Sequence, residues 1–180
     1  MSILEHPSVQ GPRPRADAHL ELLGPGATLR AASGPAAQRL VVRPWWDPDL
    51  AVSGHALSSS YVETFWLGVL GPSVICLLRR FARGFESHPG GFRLSLPDTA
   101  KAIGLGTGTG RQAPINRTID RACTFHIARR VALDEIDVRL HLPTLTERQL
   151  DRLPLALQNS HERWLAGQSP GTRQVSPPAA

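Results

Sequence analysis

Large apolar residues recur at helical spacing on both sides of Gly71-Pro72. Val62, Phe65, Trp66, Val69 and Leu70 come first, and Val74, Leu77, Leu78, Phe81 and Phe85 continue the stripe to about Glu86. A period near 3.6 residues puts each set on one side of a helix. Ser60-Tyr61-Val62-Glu63 reads as a capping box starting the first helix at Tyr61, and Gly71-Pro72 kinks or restarts it. His88-Pro89-Gly90-Gly91 is then a turn, after which Phe92-Arg93-Leu94-Ser95-Leu96 alternates with the period of a short strand.

The pattern changes again downstream. Pro97-Asp98 opens a short helix that turns Ala100 and Ile103 inward and stops at Gly104-Leu105-Gly106. A glycine-rich loop follows to Arg111. Pro114 suits the first turn of a second helix, where Ile115, Ile119, Ala122 and Cys123 mark one side as far as about Phe125. Ile127 to Val131 reads as a strand. Ile136, Val138, Leu140 and Leu142 alternate with polar residues along another, giving a hairpin around Ala132 to Glu135. Thr146-Glu147-Arg148-Gln149 is a second capping-box pattern for a helix to Leu153, and Pro154 opens a last helix through Trp164.

Upstream, Asp47-Pro48-Asp49 up to Gly54 has the cap, first-turn proline and terminating glycine of a short helix. Trp45 and Trp46 precede it, placed either to dock on the domain or to stack on bases. Met1 to about Gln38 is rich in Pro, Gly and Ala, and the residues after Gly167 are similar, so burial there cannot offset the entropy of ordering. The expected division is therefore a disordered segment over 1–40, a domain over 41–166 and a disordered tail over 167–180. Its fold class is mainly α with a small β hairpin, an α+β arrangement.

Composition narrows the partner. The chain has 180 residues and a formal charge of +5, and Lys101 is its only lysine. Residues 1–59 are neutral overall, whereas Leu105 to Arg130 hold five arginines against the single Asp120. A concentrated positive field suits a polyanion. Cys76 and Cys123 lie in apolar surroundings and read as reduced core residues, which excludes a disulfide framework. The N-terminus shows no secretory pattern, so a cytoplasmic location is expected. Thr64 to Leu78 is uncharged, but its fifteen residues rise only about 22 Å as a helix against a hydrocarbon core of about 30 Å. It reads as a core helix, and no membrane partner is expected.

The order strand, helix, loop, helix, hairpin is that of a winged helix-turn-helix, flanked here by N- and C-terminal helices. In that plan the second helix enters the major groove. With Ile115 at zero and about 100° per residue, Asn116, Arg117, Asp120, Arg121 and Thr124 fall opposite the apolar side. Arginine can bridge guanine O6 and N7, asparagine can read adenine, and aspartate can accept from cytosine N4. Arg111 and Gln112 precede the helix, at the expected groove entrance. Arg129, Arg130 and Arg139 flank the wing and would reach phosphates from its strands, while Asp134 and Glu135 make the tip acidic. These ten polar residues at 111, 112, 116, 117, 120, 121, 124, 129, 130 and 139 are the candidate contacts to duplex DNA.

Other chemistry is not indicated. Gly104 to Arg111 has neither the phosphate-loop lysine nor the dinucleotide glycine spacing. Cys123, His126 and His141 lack the paired spacing of a zinc site. No nucleophile elbow or HExxH occurs, so neither a cofactor nor catalysis is expected.

Tyr61-Val62-Glu63-Thr64-Phe65-Trp66-Leu67-Gly68-Val69-Leu70-Gly71-Pro72-Ser73 and Arg148-Gln149-Leu150-Asp151-Arg152-Leu153-Pro154 resemble uncharacterised winged helix-turn-helix proteins of high-GC bacteria. The resemblance spans about Trp45 to Trp164. It implies DNA binding and frequent dimerisation. The expectation for this chain is a transcriptional regulator or a replication or plasmid-maintenance factor, with duplex DNA as partner and a homodimer through the flanking helices. The long glycine loop and acidic tip depart from a typical regulator. A protein-interaction module on the same scaffold and a single-strand or RNA binder using Trp45 and Trp46 are the alternatives.

Overall fold

The computed structural model describes residues 21–22, 38–106, 108, 110 and 112–168 and has an α+β fold. A five-stranded sheet is ordered β1-β4-β2-β6-β5, with β1 Glu21–Leu22, β2 Arg39–Trp45, β4 Phe92–Ser95, β5 Ala128–Ala132 and β6 Glu135–Arg139. The helices α3 Pro72–Ser87, α4 Leu96–Ala102 and α5 Pro114–Thr124 supply much of the core that faces it. A two-stranded sheet joins β3 His55–Ala56 to β7 His141–Leu142. The expected order of strand, helix, loop, helix and hairpin is present from Phe92 to Arg139. The pattern through Leu142 is divided, however, because the chain leaves the hairpin after Arg139 and pairs with β3 instead.

The strand β2 is the largest departure from the sequence reading. It lies in the middle of the sheet, antiparallel to β4 and parallel to β6, so the hairpin reaches β4 only through β2. Its Leu40 and Val42 are buried in the main core. Proline removes a ladder donor and is therefore unusual in a central strand. Val41 N–H donates to Asp134 O (2.7 Å), so odd positions of β2 point their amides at β6 and even positions at β4. Pairing with β4 ends at Val42↔Phe92, and the missing amide of Pro44 therefore faces a side with no ladder left to break.

The segment expected to be disordered falls mostly outside the described residues. Its described parts differ from the expectation: Glu21–Leu22 pairs with Arg93 and Phe92, and Arg39 and Leu40 already belong to β2. The last helix, α7, spans Leu155–Gln168, past Trp164. The predicted tail beyond 168 also lies outside the described residues.

The helix breaks follow local chemistry. Asp47 caps α1 Pro48–Ser53, its side chain accepting from Asp49 N and Leu50 N, and Gly54 closes it. Val62–Trp66 is π-helical and runs into α2 Leu67–Leu70. The capping box predicted at Ser60 does not form: Ser59 Oγ accepts from Val62 N, and Glu63 pairs with Arg79. Gly71 then takes a φ of +85°, open to glycine at low cost, and Pro72 starts α3. At α6 Glu147–Leu150 the predicted box is present, with Gln149 Oε1 accepting from Thr146 N at 2.9 Å.

The core joins Phe65, Leu77, Phe81 and Phe92 to Ile119, Ile136 and Val138. Gly84 is the close-approach point, because a Cβ there would lie 2.3 Å from the Phe92 ring. Cys123 is half-buried, and burial pushes its thiol pKa up. Cys76, expected inside, is exposed on α3: the buried stripe on either side of it, Ile75 and Leu77, turns the residue between them outward. Among the described residues no helix is long and apolar enough to cross a membrane.

Candidate nucleic-acid interface

The helix α5 presents two sides of opposite character. Ile115, Thr118, Ile119 and Ala122 are buried, whereas Arg117, Asp120, Arg121 and Thr124 are exposed. Spacing by three and four residues puts the exposed set in one row. This is the side that the periodicity singled out. Asn116 is half-buried, and its Nδ2 donates to Gly110 O (2.7 Å), closing the end of the glycine loop onto the first turn.

Several of the polar side chains are already committed to partners in the protein. Arg121 Nε donates to Leu70 O and its Nη2 to Val69 O, both at 2.7 Å. These carbonyls close α2, where the end of a helix leaves acceptors without amide partners. The guanidinium also lies 5.3 Å from the centre of the Phe125 ring. Arg121 is thus a tether between α5 and α2, and not the free base-reading side chain expected at that position.

Asp120 is paired with Arg130 across to β5, Oδ1 lying 2.8 Å from Nη2 and 3.1 Å from Nε. Arg117, three residues before Asp120, is not its partner. Thr124 Oγ1 donates back to Asp120 O (2.9 Å). Arg117 and Gln112 are exposed, and among the described residues neither side chain has a hydrogen-bond or ion-pair partner. Arg111 lies outside the described residues.

The strand arginines form a second group. Arg129 binds Asp137, and Arg139 binds Asp47 and donates from Nε to His126 O. Both guanidinium groups stack on Trp45, at 4.4 and 3.9 Å from the ring centre. The Arg139 hydrogen bond holds the Asp47 carboxyl below the usual carboxylate range, reinforced by the backbone amide of Leu50. Arg129, Arg130 and Arg139 were expected to reach phosphates from the strands. Each instead has an acidic partner within the fold, because folding brought Asp137, Asp120 and Asp47 to them from other elements. Trp45 is a docked residue, whereas Trp46 is 63% exposed.

The hairpin tip is less acidic than the sequence suggests. Glu135 is bound by Arg43 of β2, a strand missing from the predicted wing. Leu133, 98% exposed, and Asp134 occupy the turn.

One buried polar cluster escaped the sequence reading. Tyr61 and His161 are 0% and 2% exposed, and the phenol oxygen lies 2.7 Å from His161 Nε2. Leu145 N–H donates to the same oxygen, and the His55 ring stacks on Tyr61 at 3.6 Å. Burial lowers the pKa of both histidines, the charge of His161 lowers that of His55 further and Glu162 partly opposes the shift at His161; burial raises that of Tyr61. The available signal was the spacing Leu157, His161, Trp164, which sets a histidine in the inward stripe of α7. Among the described residues no three His, Cys, Asp or Glu side chains converge on a metal-sized site.

No protein family matches the chain, and no curated protein or solved structure matches it either.

Proposed function

We propose that the protein binds duplex DNA through the exposed row of α5, as a winged helix-turn-helix protein in which α4 and α5 form the helix pair and β5 and β6 the wing. The resemblance to winged helix-turn-helix proteins of high-GC bacteria belongs to the same reading, with a role as transcriptional regulator or replication or plasmid-maintenance factor and no catalytic step. The observation that carries it is Arg117, an exposed cation without an internal partner among the described residues, on a helix whose opposite side is buried. Gln112 and Thr124 extend the contact along the helix. Arg121 positions α5, and Arg129, Arg130 and Arg139 brace the hairpin, so few side chains remain to read bases.

Binding of a random-sequence duplex library, followed by a salt titration on the enriched site, tests this. Arg117→Ala is expected to weaken binding by about 1–3 kcal/mol if it bridges a base, or to reduce the salt slope by about one if it holds a phosphate. Enrichment of no sequence, together with unchanged affinity and slope in the variant, would remove α5 from the interface.

A second reading, a protein-interaction surface or homodimer on the flanking helices, draws on Leu67, Leu155 and Leu165, which are exposed on α2 and α7. Light scattering across a concentration series tests it, with a dimer that dissociates in Leu155→Asp as the expected result. Trp46 is the residue that a single-strand or RNA reading would use, and competition between duplex and single-stranded probes separates that case.

A further inference from the structure

A solvent-open cavity of about 360 Å³ lies between α1 and the turn that follows α5. That is the size range of small-molecule sites, which combine an apolar lining with a few polar groups. Leu50, Phe125, Ile127 and Leu142 supply the apolar part here, and Asp47, Asp49, His126 and Arg139 the polar part.

Two further features set this cavity apart from an ordinary surface hollow. The first is its backbone. Ile127 N–H returns to Ala122 O and His126 N–H to Cys123 O, the paired bonds that end a helix with one left-handed residue. That residue is His126, at a φ of +56°, and among the described residues it is the only one other than glycine with a positive φ. Glycine is the usual occupant of such a position, and strain of this kind concentrates at binding sites. A histidine is held there, against the preference of its backbone, in the lining of the cavity.

The second feature is its charge. Asp47 and Arg139 neutralise each other, and Asp47 also caps α1. Asp49 is exposed, and its carboxylate has no hydrogen-bond or ion-pair partner among the described residues. Apart from the imidazole, two carboxylates against one guanidinium leave the site one negative charge in excess.

We propose that this cavity binds a small organic monocation, an ammonium or guanidinium group on an apolar body, with the charge on Asp49 and the body against Leu50, Phe125 and Ile127. Amide shifts of the full chain are followed at a pH where histidine is neutral, during titration with phenethylammonium, its neutral counterpart 2-phenylethanol and the anion phenylacetate. The cation is expected to shift Leu50, Phe125 and Ile127 saturably and to bind at least about tenfold more tightly than the alcohol, consistent with a charge-assisted hydrogen bond. Asp49→Asn, which leaves the Asp47 cap and Arg139 intact, is expected to abolish that advantage. Equal binding of the alcohol, tighter binding of phenylacetate, or an Asp49→Asn variant that still prefers the cation would overturn the charge assignment. Shifts that stay linear up to about 10 mM, or that saturate elsewhere, would overturn the site.

Discussion

Tyr61 and His161 are a hundred positions apart in the chain, and their side chains meet at 2.7 Å in the core. The phenol oxygen accepts from Leu145 N–H, and its own proton is left for the imidazole, which accepts at Nε2 when uncharged. This bond joins α7 to the start of the π-helical segment. It carries the first prediction.

Both His161 and His55 have pKa values lowered from 6.5 by burial, so the unfolded chain takes up protons more readily than the folded one. Their stabilising contribution is complete above about pH 6.5 and is lost as the pH falls toward the folded pKa values. Urea midpoints measured from pH 8 to pH 5 are expected to be level at the upper end and to fall below about 6.5. His161→Gln, which can still accept from Tyr61, should flatten part of that slope. A variant as pH-sensitive as the natural chain would assign the effect to other groups.

Arg121→Ala tests the tether. Removing the guanidinium leaves the carbonyls of Val69 and Leu70 without their charged donor, at an expected cost of about 1–3 kcal/mol in chemical unfolding. Arg117→Ala should leave stability within about 0.5 kcal/mol, as for an unengaged surface side chain. Equal stabilities of the two variants would contradict the structural role given to Arg121.

In Gly84→Ala the added methyl meets the Phe92 ring at 2.3 Å inside the core, a packing cost of about 1–3 kcal/mol. Alanine's ordinary gain of about 1 kcal/mol in a helix offsets part of it, so a net destabilisation of up to about 2 kcal/mol is expected. Adding Phe92→Leu should recover part of the loss, and the double-mutant cycle should show coupling.

His126→Gly relieves the positive φ and is expected to raise stability by up to about 1 kcal/mol. The same change should weaken phenethylammonium binding if His126 is retained for the cavity. A variant that is less stable than the natural chain would show that the left-handed turn is not strained.

The elements from Val62 to Gly104 and the buried side of α5 were legible because each rests on local rules. Apolar spacing, a proline at a first turn and a glycine between helices need no distant partner to be recognised. The row Arg117, Asp120, Arg121 and Thr124 followed from helical geometry in the same way. The side chains in that row could be placed by sequence, but their partners could not.

Those partners come from distant parts of the chain. β2 was missed because its arginines and Pro44 break the strand pattern, and its place between β4 and β6 is fixed by pairing with residues roughly 50 and 95 positions away. The same strand supplies Arg43 to Glu135 and Trp45 to Arg129 and Arg139. The sequence by itself determined that helices form in these stretches and which side of most of them is apolar, since local sterics and the hydrophobic effect set these, whereas several helix ends moved with their packing. Only the tertiary structure decided which arginines remain available to a partner, because a guanidinium is free or engaged according to the carboxylates and carbonyls that folding brings to it.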